Sequence, residues 1–269
     1  MKKIIGLEKV KEMIKTQCAI AVQNKRMAEH RGISDDTFKR IAFMGNPGTG
    51  KTTMARIVSK IYSENGITNG VFIETSRAEL VGRWLGETSQ KVKAVFQKAQ
   101  GGVLFVDEAG TLITSDRDSY GIEALGAIVK HMDNHPETIV IFATYSQQME
   151  MLFETNEGLR SRCSNIIEFE SYDTEQLVQI FKMIAAERGY TVARGYKKII
   201  APYFDKIRNN ATFGNGRDVR KLVEAAIGVL AVQSKEFTTA ITLSAIRKAV
   251  QDSLESQPAA KNVIGFQQG

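Results

Sequence analysis

The chain has 269 residues, room for one large domain or two modest ones, and its 43% hydrophobic and 25% charged content is ordinary for a soluble globular protein. Two cysteines, Cys18 and Cys163, exclude a disulfide framework and have no metal-ligand spacing, which fits a reducing compartment. Lys and Arg (36) exceed Asp and Glu (30), and residues 1–40 hold ten basic against five acidic side chains; this surplus would suit nucleic acid or an acidic protein, but a solvated face is the simpler reading.

The first residues are basic and then apolar, but Glu8, Lys9 and Lys11 cut the apolar run too short for a signal peptide. No stretch approaches membrane-spanning length. The expectation is a cytoplasmic protein with no membrane partner. From Leu7 to about Glu29, Val10, Ile14, Cys18, Ala21 and Val22 line one face of a helix. Turn residues 31–36 close it. Arg40 to Met44 reads as a buried strand, and Thr53 to Tyr62 has helical spacing at Met54, Ile57, Val58 and Ile61.

Between them stands Gly45-Asn46-Pro47-Gly48-Thr49-Gly50-Lys51-Thr52, which fits G-x-x-x-x-G-K-[ST] at every fixed position. Strand, glycine loop and helix is the context this phosphate-binding loop needs. The glycines let consecutive N–H groups turn toward a phosphate chain, and the helix start adds partial positive charge. Lys51 is placed to reach the β- and γ-phosphates, and the Thr52 hydroxyl to bind Mg²⁺.

Further along, 71–75 reads as a second strand, 89–99 as a helix, 102–106 as a buried strand and 122–132 as a helix. Residues 138–143 and 165–169 complete five strands. Strands alternating with helices predict an α/β fold with a parallel sheet covered on both faces. After residue 172 the character changes. Helices are expected over 174–186, 195–208, 217–233 and 243–254, with one strand-like stretch at 238–242. The domains read from this are 1–172 and a helical 173–255; the tail 256–269 has no period.

Val103-Leu104-Phe105-Val106-Asp107-Glu108 is a Walker B strand ending in two carboxylates. Strand ends of a parallel sheet deliver side chains to the ligand crevice. There Asp107 can hold the Mg²⁺ that Thr52 binds, and Glu108 can orient and deprotonate a water. Hydrolysis also needs positive charge on the γ-phosphate in the transition state. Leu159-Arg160-Ser161-Arg162-Cys163 and Phe213-Gly214-Asn215-Gly216-Arg217-Asp218-Val219-Arg220 both offer it. Spacing alone does not separate these arginines from surface ion pairs.

Gly45–Thr53, Arg77–Gly82, Gly101–Ala109, Gly158–Arg162 and Phe213–Asn215, in this order, resemble AAA+ ATPases, most closely the CbxX/CfqX (SpoVK-like) family that includes red-type rubisco activase. The resemblance covers roughly residues 5–250. It implies a P-loop NTPase sheet domain with a small helical lid, ATP and Mg²⁺ as ligands, and a hexameric ring with nucleotide between subunits. Nucleotide would contact Gly45, Asn46, Pro47, Gly48, Thr49, Gly50, Lys51, Thr52 and Thr53, with Ile5 and Gly6 near the adenine. Arg162 would be the finger reaching the next subunit and Arg217 the lid's sensor; Arg160 and Arg220 are second candidates. Many relatives carry an Asn as first sensor where Tyr145 stands, so that role stays open between Thr144 and Tyr145.

Val81-Gly82-Arg83-Trp84-Leu85-Gly86-Glu87 holds the chain's single Trp between glycines. An aromatic on such a loop can move with the nucleotide state and grip a chain, or it can pack on the sheet. By resemblance Arg83, Trp84 and Leu85 form a central-pore loop. The function expected is ATP-driven remodelling or threading of a protein. A DNA-directed loader, to which Ser161-Arg162-Cys163 and the basic start would suit, and a scaffold held by nucleotide are the alternatives. Trp84 argues against the first, the Asp107-Glu108 pair against the second.

Overall fold

The computed structural model describes residues 4–33, 37–84, 86–115, 117–163, 165–234 and 236–256. Leu85 and the tail beyond Ser256 lie outside the described residues. The chain divides after Ser171 into two compact units.

The first unit opens with α1 (Glu8–Arg31), whose buried side is Val10, Ile14, Cys18 and Ala21. Gly32, at φ 68, ends it and donates its N–H to Ala28 O at 3.0 Å. There follow β1 (Arg40–Gly45), α2 (Lys51–Glu64), β2 (Phe72–Thr75), α3 (Arg77–Leu80), α4 (Glu87–Ala99) and β3 (Val103–Val106). Then come α5 (Ser119–Asn134), β4 (Ile139–Thr144), α6 (Ser146–Thr155), α7 (Glu157–Arg162) and β5 (Asn165–Phe169).

These five strands pair in parallel in the order β2-β3-β4-β1-β5. Side chains alternate across a strand, so each inner strand feeds two cores. Ala42, Met44, Leu104, Val106, Val140 and Phe142 meet α4, α5 and α6 on one face. Ile41, Phe43, Val103, Phe105, Ile139 and Ile141 meet α1 and α2 on the other. Each of these buried side chains larger than alanine contributes about 1.5–3 kcal/mol, against about 0–1 kcal/mol for an exposed ion pair. The apolar faces, not the charged surface, therefore hold the sheet. The connection from β1 leaves toward β2 while β5 lies on its other side. The carboxyl end of β1 is thus a switch point, where open sheets bind ligands.

The second unit holds α8 (Thr174–Glu187), β6 (Thr191–Val192), α9 (Lys197–Ile207), α10 (Gly216–Gln233), β7 (Ala240–Ile241) and α11 (Leu243–Glu255). A reciprocal cap starts α8: Asp173 Oδ1 accepts from Gln176 N–H at 2.8 Å, and Gln176 Oε1 from Asp173 N–H at 3.0 Å. Leu177, Phe181, Ile200, Phe204, Leu222, Val223 and Ile246 make its core.

Among the described residues, three α-helices and one strand exceed the sequence reading. α3 carries a Ser76–Glu79 capping box, but its single turn is too short to show a period. α6 buries Met149, Leu152 and Phe153 at helical spacing, and Asn156 caps α7 by accepting from Leu159 N–H at 2.9 Å. β6 has two residues and exists only by pairing with β7, the predicted strand-like stretch.

Candidate active site

At the end of β1, a Cβ on Gly45 would lie 2.4 Å from Phe169 O, so only glycine lets the loop leave beside β5. Gly48 (φ 70) and Gly50 (φ 96) adopt left-handed conformations, and Gly50 precedes α2 directly. Thr49 is fully buried and donates to Asn46 O at 2.8 Å; Asn46 Nδ2 donates to Ser171 Oγ at 3.0 Å. These bonds fix the loop from within. Lys51 Nζ donates to Gly45 O at 2.7 Å and Asn46 O at 2.9 Å, so the ammonium folds back over the loop. The first turn of α2 contains no acidic residue. The partial positive charge of such a helix start favours an anion.

β3 delivers the carboxylates. Asp107 N–H donates to Thr75 O at 2.8 Å, Asp107 Oδ1 accepts from Glu108 N–H at 2.9 Å, and Asp107 Oδ2 stands 3.5 Å from Thr52 Oγ1. A hydroxyl and a carboxylate facing each other are hard oxygen donors. That set suits Mg²⁺, which takes one or two protein ligands and fills the rest with phosphate and water. Glu108 sits at φ 48, ψ 40. A left-handed non-glycine costs of order 1–3 kcal/mol and persists only where surroundings over-determine it. Here the Glu108 carbonyl accepts from Thr111 N–H at 2.8 Å and Thr111 Oγ1 at 2.7 Å. Glu108, next in the chain to Asp107, is exposed.

Thr144, at the end of β4, is buried and lies 2.6 Å from Gln148 Oε1; Tyr145 is exposed. A Cβ on Gly110 would meet Gln148 Oε1 at 2.4 Å and Thr144 Oγ1 at 2.6 Å. The turn after Glu108 therefore packs on Thr144 and Gln148. Gln148 escaped the sequence reading; its one signal is a place four residues past Thr144 on a helix. Ile5 is half-buried and Gly6 has φ 64, just before α1, where Ile4 and Leu7 pack on the α1–α2 core.

Arg162 closes α7. Its Nε and Nη2 donate to Asp133 at 2.9 and 2.6 Å, and its Nη1 to Gly158 O at 3.0 Å. Hydrogen bonding to Arg162 holds the Asp133 carboxyl below the usual carboxylate range. Arg40, the first residue of β1, reaches the same carboxylate at 3.4 Å. β5 registers Asn165 with Ile41 and Phe169 with Gly45. Arg162 thus lies at the strand-start end, about 13 Å along β1 from the glycine loop at ~3.3 Å per residue. Arg160 pairs with Glu150 and stacks over Phe153. In the second unit Arg217 and Arg220 lie on α10, just after Asn215. Asn215 is fully buried at φ 48, and its Oδ1 accepts from Tyr172 N–H at 3.0 Å.

Trp84 is 76% exposed, which removes the core-packing alternative. The base of its loop is ordered: Gly82 N–H donates to Thr88 Oγ1 at 3.0 Å, and Arg83 N–H and Trp84 N–H donate to Glu87 Oε2 at 2.7 and 3.2 Å. These bonds hold the Glu87 carboxyl below its ordinary pKa. A Cβ on Gly82 would strike Thr88 N at 2.7 Å.

Residues 41–171 match the family described as ATPase family associated with various cellular activities (AAA), and 173–257 match an AAA lid domain. Stage V sporulation protein K of Bacillus subtilis is 36% identical over 238 residues, 87% of this chain and 74% of that protein. Protein CbbX of Cereibacter sphaeroides is 34% identical over 84% of this chain and 74% of its own. The chloroplastic ribulose bisphosphate carboxylase/oxygenase activase of Cyanidioschyzon merolae is 34% identical over 84% of this chain and 78% of its own. Among solved structures, the FIGL-1 AAA domain in complex with ADP has a TM-score of 0.65 at 20% identity, over 96% of this chain and 84% of that one, a likeness of fold. No described helix is long and apolar enough to cross a membrane.

Proposed function

The chain belongs to the AAA ATPase family, among the relatives of SpoVK, CfxQ and CbbX, and from that premise we propose that it is a Mg²⁺-dependent motor that remodels a protein substrate in a ring of six copies. The observation that carries this reading is the meeting of Thr52 with Asp107 at 3.5 Å, with exposed Glu108 the next residue in the chain. In this reading the α2 N–H groups and Lys51 hold the phosphates. Thr52 and Asp107 would hold Mg²⁺, which when bound offsets charge on the β- and γ-phosphates. Glu108 orients the attacking water and takes its proton at a carboxylate oxygen. Thr144 and Gln148, packed on the Glu108 turn, sense the γ-phosphate; Tyr145 remains the other candidate.

Arg162 serves a neighbouring copy, because its place at the far end of β1 keeps it from its own glycine loop. Arg217 reports from the lid, and Arg83 with Trp84 touches a polypeptide in the pore. The relatives named for sporulation and for rubisco activation make a protein the proposed substrate class. Nucleic acid is not proposed: several cations of the basic start already face acids, Lys9 with Glu170, Lys11 with Glu8 and Lys25 with Glu29. The buried free thiols of Cys18 and Cys163 suit a cytoplasmic setting.

Glu108→Gln tests the reading. Turnover should fall by about 10²–10⁴-fold while ATP stays bound, and the trapped protein should retain its substrate in a pull-down. Undiminished turnover in this variant would remove Glu108 from the reaction and the proposal with it.

A further inference from the structure

Arg77 opens α3, directly after β2 and four residues before the Trp84 loop begins. Its side chain is half-buried, 29% exposed, and turns toward the segment after Glu108. Nη1 donates to Leu112 O, to Thr111 O at 3.2 Å, and to Asp118 Oδ2 at 2.7 Å. Asp118 is nearly buried at 7% side-chain exposure, and its carboxylate is saturated by Thr114 N–H at 3.0 Å, Thr114 Oγ1 at 2.9 Å and Gly121 N–H at 2.9 Å. Gly121 has no room for a side chain, since a Cβ would lie 2.1 Å from Leu112 O. One cation thus gathers the carbonyls of the segment just past Glu108 and anchors them to the start of α5.

That segment touches the candidate site on its other side. Thr111 closes the left-handed Glu108 turn through two bonds to the Glu108 carbonyl, and Gly110 packs on Thr144 and Gln148. α3, in turn, runs into the loop at Val81, and Lys91 of α4 bridges the two, its Nζ also lying 3.4 Å from Ala78 O. Leu80 is fully buried in the core, Lys91 Nζ donates to Val81 O at 2.9 Å, and Gly82, Arg83 and Trp84 are tied to Thr88 and Glu87. α4 thus bonds both α3 and the loop base, and Arg77 bonds α3 to the segment past Glu108.

We infer that Arg77, held by Asp118, is a positioning residue through which the Glu108 turn sets the place of the Trp84 loop. The inference rests on the proposed function only in taking nucleotide at the glycine loop and Trp84 as the working tip. It adds that the two communicate through one partly buried ion pair inside a single sheet domain. All three acceptors gather around Nη1, whose two N–H bonds lie fixed in the guanidinium plane; a lysine ammonium would keep the charge but carry it as a rotating point charge on a flexible stem. Coupling of this kind is established by a two-state response that both sites bias, not by proximity.

The chain's single Trp is itself the probe. In the full chain with Mg²⁺, adding ATP to Glu108→Gln should change Trp84 emission, because the loop is repositioned without turnover. In Arg77→Lys and Arg77→Gln, each built on Glu108→Gln, that change should be lost although ATP still binds and the melting temperature stays close to the parent. Arg77→Lys keeps the charge and guards against simple misfolding. An undiminished emission change in both Arg77 variants would overturn the inference. So would a parent whose Trp84 emission ignores bound ATP; that result would leave ATP hydrolysis untouched. Loss of ATP binding in step with the emission change would make Arg77 a structural prop of the nucleotide site, which also overturns it.

Discussion

Asp118 has two opposed influences acting on one carboxyl. Burial pushes its pKa up, but the Arg77 guanidinium, the N–H groups of Gly121 and Thr114 and the Thr114 hydroxyl outweigh it and hold the carboxyl well below the usual range. The folded pKa is depressed, so the unfolded chain takes the proton first as pH falls. Stability from Asp118 is therefore full above the ordinary carboxylate range and drains away as pH drops through it toward the folded value. Asp118→Asn keeps the shape and removes the charge from the nearly buried member of the pair. It should cost about 3 kcal/mol near neutral pH, and its denaturation midpoint should approach that of the wild type as the buffer is taken to pH 3. A gap that stays constant with pH would show that Asp118 is not the charged partner of Arg77. At this scale the sequence is uneven. Gly45, Lys51, Thr52, Asp107 and Glu108 are legible because fixed short spacings carry their chemistry. Arg77 with Asp118 and Tyr172 with Asn215 are not, because each pair is joined across 41 and 43 residues and has no local period.

An element is the right unit for Trp84, because its loop is ordered by backbone bonds that do not involve the indole. Thr88, Glu87 and Lys91 on α4 hold the base, while the tip stands exposed. Trp84→Ala should accordingly change stability by no more than about 0.5 kcal/mol and leave basal ATP turnover intact. Placed in the Glu108→Gln background, it should release the polypeptide that the parent retains with ATP. A melting temperature lowered by many degrees would instead mean that the indole packs on the fold. The same reasoning explains which elements could be read in advance. β1, β3 and β4 are buried on both faces, so they appear as continuous apolar runs, and α1, α2, α4 and α5 each show one apolar side. α6 and α7 escaped because Asn156 interrupts them, capping the second helix where the first ends. β6 escaped because its two residues owe their conformation to β7, 49 positions away by register.

At the scale of the whole molecule, the question is whether one chain can hold a complete site. The five-stranded sheet places the glycine loop at the carboxyl ends of its strands and Arg162 at their starts, on the far side of β1 and β5. A guanidinium cannot cross that length, so if Arg162 acts on the γ-phosphate it does so on another copy. The bond it must give up is modest: the Arg162–Asp133 pair is a third exposed on one side and 44% on the other, and pairs of that kind are worth about 0–1 kcal/mol. Asp133 thus orients the side chain without trapping it. Arg162→Ala should leave folding and nucleotide affinity nearly unchanged and abolish turnover; Lys51→Ala should be inactive for the separate reason that it fails to hold the phosphates. Mixed in equal amounts, the two inactive proteins should regain up to about a quarter of wild-type turnover, since a head-to-tail ring places an intact loop against an intact finger at roughly one interface in four. Turnover that stays at zero across all mixing ratios, in rings whose mixed composition is verified by mass, would mean that loop and finger must belong to the same chain. The length of β1 forbids that arrangement, so Arg162 would then have to be replaced by another arginine as the γ-phosphate's partner.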